Sequence, residues 1–117
     1  MQHDCIAFLE AVRKASAELI TYIDGYTEQQ YLNDGRTQRA VERCVEIMGE
    51  GLRQIRDADV SLLNKLPHAS QIIGMRNIIV HEYGDIDCTI VWHAVSTQLA
   101  GLIAAVQNEI DGLERNE

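Results

Sequence analysis

Residues 74–84 hold the side chains of this chain that are best suited to chemistry; they read GMRNIIVHEYG. On a helix, which turns about 100° per residue, Asn77 and His81 are neighbours on one face, and Arg76 stands at the edge of the same face. A permanent cation, an amide and an imidazole that titrates near neutral pH would then share one surface. Gly74 lies beside His81 on that face and would leave room for a second chain.

These residue types suit the cleavage of RNA without a metal ion. The reaction needs a base for the 2′-hydroxyl proton, an acid for the leaving 5′-oxygen and a cation for the charge that develops on the phosphate. Histidine can take either proton-transfer role, and arginine can bind phosphate through two parallel hydrogen bonds. One copy of the segment supplies only His81, so a two-fold dimer that brings two copies together would complete the set. By spacing alone a second interpretation also stands, in which Arg76 and His81 each pair with an acidic side chain on the surface or cap the helix.

Apolar residues at helical spacing predict an all-α fold, an up-and-down bundle of four long helices plus one short helix. The long helices are predicted at residues 4–23, 37–55, 67–81 and 88–110, and the short one at residues 27–32. Glycine-containing breaks fill three of the four gaps between these helices, and a loop without glycine leads to Pro67, a suitable first helical residue. Thr27 is a suitable cap for the short helix, and either Asp85 or Asp87 for the last one.

Two further predictions concern how these helices pack. The core-facing stripe of the helix at residues 67–81 is predicted to consist of Ile72, Met75, Ile78 and Ile79. Gly49 and Gly51 lie inside the predicted helix at residues 37–55, and each weakens it by up to ~1 kcal/mol relative to alanine. Glycines at such positions often let another backbone come close.

The length and composition are those of a single small domain over residues 1–117. The chain has 117 residues, of which 46% are hydrophobic and 24% charged, a balance that argues against disorder and against a second domain. No apolar stretch approaches the roughly 20 residues of a membrane span, and Asp4 and Glu10 interrupt any N-terminal signal sequence. Three cysteines at wide spacing favour reduced thiols, so a cytoplasmic location is expected.

The charge is unevenly distributed along the chain. The formal net charge of −8 is unfavourable for binding nucleic acid. Residues 36–76, however, carry seven basic and five acidic side chains, between two strongly acidic segments. Arg39 and Arg43 lie one helical turn apart there, and they either contact RNA phosphates or pair with nearby glutamates.

Two other groups of side chains have weaker claims to a function. His81, Cys88 and His93 match no established spacing of metal ligands, so no metal or other cofactor is expected. The tyrosines within residues 22–31 either stack on RNA bases or, as we favour, pack at the helix ends.

The spacing of Arg76, His81 and Tyr83 resembles the R-x4-H-x-Y signature of HEPN-domain proteins. The flanking sequence is similar to that of the HepT toxins, which are paired with minimal nucleotidyltransferase antitoxins. The similarity covers nearly the whole chain, and the stretches that show it best are TQRAVER at 37–43, EIMGE at 46–50, Pro67, GMRN at 74–77, HEY at 81–83, Asp87 and IVW at 90–92. The chain departs from the family after Pro67, where His68 and Ala69 stand in place of a frequent tryptophan.

This resemblance implies a HEPN-like homodimer with a shared cleft that cleaves RNA, such as tRNA or mRNA, without a metal ion. Arg76 and His81 would be the catalytic pair, and Asn77 would assist in positioning. The resemblance also implies neutralisation by the cognate antitoxin, which would transfer AMP from ATP to Tyr83. The alternative is a non-catalytic interaction module that docks a nucleotidyltransferase or its substrate; the intact motif favours the enzyme.

Overall fold

Seven helices make up the described part of the chain. The computed structural model describes residues 2–81 and 86–115, with side chains from residue 5 onward. The helices are α1 (Gln2–Ile23), α2 (Glu28–Leu32), α3 (Gly35–Ala58), α4 (Val60–Leu63), α5 (Ala69–His81), α6 (Cys88–Thr97) and α7 (Leu99–Arg115). No strand occurs among these residues, and the predicted all-α class is confirmed. Tyr83, the residue predicted to receive AMP, and the predicted break at residues 84–85 lie outside the described residues.

Local hydrogen bonds set several helix ends where the sequence predicted them. Thr27 and Gln30 form a capping box at the start of α2, in which each side chain accepts a hydrogen bond from the other's backbone N–H. Asp87 caps α6 by accepting from the N–H groups two and three residues later. Gly25 follows α1 at a φ of +77°, a conformation that L side chains rarely adopt.

The predicted last helix is two helices in the structure. α6 ends at Thr97, and α7 continues after a bend of 50°. Ser96 Oγ donates to the Trp92 carbonyl at 2.6 Å, and Thr97 Oγ1 donates to the His93 carbonyl at 2.6 Å. Hydroxyls that bond back to the carbonyl four residues earlier bend helices. The prediction of one continuous helix at residues 88–110 is therefore wrong at this turn.

The segment between α3 and α5 also differs from the prediction. It contains the short helix α4, which Asp59 caps by accepting from the Leu62 N–H at 3.1 Å. α5 begins at Ala69 and not at Pro67, because His68 has a φ of +64° and cannot belong to a right-handed helix. The bundle thus keeps its predicted core helices but has more short segments than the sequence indicated.

α3 packs against both α1 and α5, and α7 packs against α1. Two glycines let α3 approach these neighbours closely, as the sequence suggested. A Cβ on Gly51 would stand 2.9 Å from Val12 Cγ2 and 3.3 Å from the Phe8 carbonyl oxygen of α1. A Cβ on Gly49 would stand 2.3 Å from Arg76 Cβ of α5, closer than real Cβ atoms come. Gly49 therefore fixes how α5, which carries Arg76, Asn77 and His81, packs on α3.

Within the described ranges, no single helix combines the length and the apolar composition needed to cross a membrane. α6 and α7 reach that length and composition only when they are taken together across their bend.

Candidate active site

Arg76 is held between α5 and α3. Its aliphatic stem crosses α3 at Gly49, where an added Cβ would lie 2.3 Å from Arg76 Cβ and 2.7 Å from Cγ. The Ile72 carbonyl oxygen, about one turn earlier on α5, would be 3.3 Å from the same position. The Arg76 side chain is consequently only 23% exposed. Its stem is packed like a core side chain, while its charged end reaches the edge of the bundle.

Two neighbours hold the Arg76 guanidinium. Nη1 donates to Asn77 Oδ1 at 3.1 Å, and Nη2 stands 3.5 Å from Glu50 Oε1. Nε is buried and has no hydrogen-bond partner. Because each Nη carries two N–H groups, the guanidinium keeps donors for a phosphate oxygen while it is held in place.

Glu50 belongs to a network of charged groups on α3. Arg53 donates to it through Nε (3.0 Å) and Nη2 (2.8 Å), and Gln54 Nε2 donates at 3.1 Å. Arg53 also donates to Asp57 at 3.0 Å. The hydrogen bond from Arg53, aided by the positive charge of Arg76, lowers the pKa of Glu50 below its ordinary value. At neutral pH, therefore, an ionised carboxylate faces Arg76.

A cleft of about 420 Å³ opens beside Arg76, lined by residues of α1, α3 and α5. Arg43, one of the two predicted phosphate contacts, lines the same cleft together with Glu46 and Glu50. Arg43 is 68% exposed and forms an ion pair with Glu46. The fold thus brings Arg43 and Arg76, which are far apart in sequence, to one cleft of mixed charge.

Arg39, the other predicted phosphate contact, does not line this cleft. Its Nη1 donates to the buried Glu42 at 2.5 Å. Tyr31 close by is fully buried, and its ring packs against Trp92 with centroids 5.3 Å apart. Burial raises the pKa of the Tyr31 phenol above its ordinary value. Tyr31 is therefore a core residue, which agrees with the packing interpretation, and is not available to stack on a base.

His81 is the last residue of α5, and it is exposed. Asn77 is also exposed and lies four residues earlier, so the two occupy one face of α5. No hydrogen bond or ion pair joins Arg76 to His81, both of which the structure describes. One chain therefore brings Arg76 and Asn77 together and places His81 about one helical turn further on.

The orientation of α5 corrects one prediction of core packing. Ile78, predicted to face the core, is 46% exposed, and Met75 and Ile79 are only partly buried. Ile72 and its unpredicted neighbour Ile73 are the buried isoleucines of α5. The reason is the close approach at Gly49, which turns the Arg76 side of the helix towards α3 and the Ile78 side outward.

The outward side of α5 forms an apolar groove with α6, which we call the α5–α6 groove. Its volume is about 550 Å³, and its lining includes Gly74, Met75, Ile78, Ile90 and His93. Ile90 is 62% exposed, which is unusual for a large aliphatic side chain. Gly74 has nothing within 4 Å of its Cβ position, so no contact within the described chain accounts for a glycine there.

The described residues contain no group of three or more His, Cys, Asp or Glu side chains that could hold a metal ion. Cys44 is buried in the core and Cys88 is partly buried; neither forms a disulfide.

Gly49 and Glu50 are the neighbours of Arg76 that the sequence did not assign to the site. They adjoin each other in the stretch EIMGE at residues 46–50. A glycine inside a helix is a detectable signal, because it costs up to ~1 kcal/mol relative to alanine. The sequence alone does not show which helix packs against Gly49. The contacts of Gly49 and Glu50 with Arg76 are therefore visible only in the folded structure.

The described residues form an all-α, HEPN-like helical bundle. The chain belongs to the ribonuclease HepT-like family, whose sequence profile matches residues 12–109. It is similar to the protein named "Putative RNase MJ1216" of Methanocaldococcus jannaschii, with 23% identity over 98% of this chain and 97% of that protein. It is also similar to "Probable ribonuclease HepT" of Thermococcus cleftensis, with 30% identity over 74% of this chain and 81% of that protein. No solved structure matches the chain. The predicted family, and the ribonuclease class that it defines, are confirmed.

Proposed function

We propose that this chain is the toxin of a toxin–antitoxin pair and acts as a metal-independent endoribonuclease at a site completed by a second copy of itself. The observation that carries the proposal is the anchoring of Arg76: its stem is fixed against Gly49, and its guanidinium is held by Asn77 beside a cleft. His81 lies exposed on the next turn of the same helix. The imidazole can transfer protons and the cation can stabilise the charge on the phosphate, as metal-free RNA cleavage requires, while the amide positions the cation.

In the proposed reaction the 2′-oxygen of a ribose attacks the adjacent phosphorus while one His81 imidazole takes the 2′-hydroxyl proton. The bond from phosphorus to the 5′-oxygen breaks, and a second imidazole gives that oxygen a proton, which leaves a 2′,3′-cyclic phosphate and a 5′-hydroxyl. Arg76 stabilises the negative charge on the phosphorane oxygens through charge-assisted hydrogen bonds. One chain has a single His81, so the two proton transfers call for two protomers.

The α5–α6 groove supports a homodimer as the active form. Gly74, Ile78 and His81 are spaced at i, i+4 and i+7, so they share one face of α5. A second copy packed on this face by two-fold symmetry would cover Ile78 and Ile90, pass close to Gly74 and bring the two His81 side chains towards each other. Exposed apolar grooves of this kind typically mark interfaces.

Arg43 and Arg39 are proposed as phosphate contacts that extend the site along α3. Arg43 is the better placed, because it lines the cleft of Arg76. Its ion pair with Glu46 is exposed and contributes only about 0–1 kcal/mol, so an RNA phosphate can displace the glutamate at small cost. Arg39 lies one turn earlier on α3, with its side chain 64% exposed.

Neutralisation is proposed to occur at Tyr83 by a cognate nucleotidyltransferase. The Tyr83 phenol oxygen would attack the α-phosphorus of ATP, the bond to pyrophosphate would break, and the phenol proton would be lost. The added phosphate would compete with RNA for Arg76, which lies on the same motif. Incubation of both proteins with ATP and magnesium should add mass in AMP steps to the wild-type chain and add none to Tyr83→Phe; an adduct on Tyr83→Phe would contradict the assignment.

Expression of the chain alone in a bacterial host tests the toxin proposal. Wild type should arrest growth, and His81→Ala should relieve the arrest while its soluble yield and melting temperature stay unchanged, because His81 is exposed. His68→Asn is the matched control, since it also removes an exposed imidazole and asparagine tolerates the left-handed backbone there; it should remain toxic. Unaffected growth with abundant soluble wild-type protein would favour the interaction module instead.

A further inference from the structure

We infer that Glu50 is a positioning residue for Arg76, a role that rests on the proposed ribonuclease function for its kinetic consequences. Glu50 Oε1 stands 3.5 Å from Arg76 Nη2, whereas Asn77 Oδ1 accepts a hydrogen bond from the other terminal nitrogen, Nη1, at 3.1 Å. The two contacts together fix the plane of the guanidinium at the edge of the cleft. Glu50 itself lines that cleft.

Glu50 is held firmly enough to serve as an anchor. Its two oxygens accept three hydrogen bonds, two from Arg53 and one from Gln54, at distances between 2.8 and 3.1 Å. Arg53 is in turn tied to Asp57 one turn later. Arg76 has no other ion pair in the described part of the chain, and its Nε has no partner. Without Glu50, the Arg76 side chain would keep only one polar contact among the described residues, the hydrogen bond to Asn77.

The bonding of Glu50 suits an anchor better than a proton acceptor. Its lone pairs are occupied by the arginine and glutamine donors of α3, and its lowered pKa makes it a weak base. Glu50 also places a negative charge where an RNA phosphate must bind. It therefore favours the correct orientation of Arg76 and at the same time opposes substrate binding.

This dual effect gives a kinetic signature for Glu50→Gln, which keeps the size of the side chain and removes its charge. The value of kcat should fall at least about tenfold, because a misplaced guanidinium stabilises the transition state less well. The KM for RNA should not rise, because the cleft loses a negative charge. The pH dependence of kcat should keep its shape, since the proton-transfer groups are intact. A role in stability alone would not separate kcat from KM in this way.

Two variants control the experiment. Glu10→Gln on α1 breaks an ion pair of the same kind, between Glu10 and Arg13 (2.8 Å) at i,i+3 spacing, without touching the cleft; its kcat and KM should equal those of wild type. Glu50→Asp keeps the charge but shortens the side chain, so it should lower kcat and leave KM unchanged. Thermal melting should show all three variants folded.

An NMR measurement tests the same inference without RNA. The Nε–H proton of Arg76 gives an NMR signal that is identified by its loss in Arg76→Lys. Because Nε is buried, this proton should exchange slowly with water in wild type and in Glu10→Gln. In Glu50→Gln, where the guanidinium is less firmly held, it should exchange at least about tenfold faster. If wild type cleaves no RNA, the proposed function fails while this measurement still decides the role of Glu50. Equal exchange and equal kinetics in Glu50→Gln and Glu10→Gln would overturn the inference.

Discussion

At the scale of single residues, the candidate site depends on Gly49, the residue against which Arg76 packs. Arg76 can lie flat against α3 only because residue 49 has no Cβ. The stem is thereby fixed by packing, and only the guanidinium remains to be oriented by Asn77 and Glu50. Preorganisation of this kind reduces the cost of ordering a long side chain when substrate arrives.

Gly49→Ala should therefore damage both stability and activity. The new Cβ would overlap Arg76 Cβ and Cγ, and relief of the overlap must push α5 away from α3, at a cost of about 1–3 kcal/mol to the free energy of unfolding. Denaturant unfolding and RNA cleavage measure the two effects. Gly101→Ala is the matched control, because its Cβ position is open, and it should be neutral or stabilising by up to ~1 kcal/mol. Equal stability of the two variants would contradict the close-packing account.

Residue types were enough to propose most members of the candidate site, but not their geometry. Arg76, Asn77 and His81 were recognisable by spacing on one helix, and Arg43 by its sign of charge. The packing of Arg76 on Gly49 and its ion pair with Glu50 join residues 26 or 27 positions apart, so no local pattern reveals them.

At the scale of elements, some helix boundaries could be predicted from the sequence and others could not. Caps are local, so the sequence predicted Thr27 as the cap of α2 and Asp87 as one of two candidate caps of α6. The break after Thr97 depends on hydroxyl rotamers and was not visible in the apolar pattern. The inward face of α5 was ambiguous because isoleucine or valine lies on several sides of that helix, and tertiary packing decided which ones are buried.

Asp34, at the junction between α2 and α3, should make the stability of the fold depend on pH in the acid range. Asp34 caps α3 by accepting from the Thr37 N–H (3.0 Å), and it also accepts from the Tyr26 hydroxyl at 2.7 Å. These bonds, that from Tyr26 foremost, lower the pKa of Asp34 from 3.8 to about 2. A carboxyl with a lower pKa in the folded state stabilises the fold above its unfolded pKa, and this contribution disappears as the pH falls through the folded value.

Asp34→Asn keeps a capping oxygen and removes the charge. Its melting temperature should lie below that of wild type at pH 7, and the two should converge as the pH is lowered from about 4 towards 2. A difference in melting temperature that stays constant over this range would contradict the assignment.

The α5–α6 groove makes a prediction about assembly. Ile78→Glu places a charge on an exposed position of the groove, so each protomer should stay folded while the dimer dissociates, and RNA cleavage should be lost although Arg76 and His81 are intact. Light scattering after size exclusion measures the mass. Val60→Glu is the control, because Val60 is 58% exposed on α4, away from the groove; it should remain dimeric and active. If Ile78→Glu remains dimeric, the dimer interface does not lie at the α5–α6 groove.

At the scale of the whole molecule, an acidic protein of net charge −8 is proposed to act on a polyanion. The arginines that line the cleft, Arg43 and Arg76, are paired with Glu46 and Glu50, so the cleft is close to neutral and not strongly attractive to RNA. Cleavage should thus depend on orientation at Arg76 and on the meeting of two protomers more than on electrostatic attraction. The activity is expected to follow the concentration of dimer.

The most direct measurement of the central claim is cleavage of a labelled RNA by the purified chain in excess EDTA, with His81→Ala and His68→Asn run beside it. The account predicts that wild type and His68→Asn cut the RNA and leave 2′,3′-cyclic phosphate ends, whereas His81→Ala, equally folded and equally dimeric, cuts it at least about a hundredfold more slowly. Cleavage that stops in EDTA, or that His81→Ala performs as fast as wild type, would contradict it.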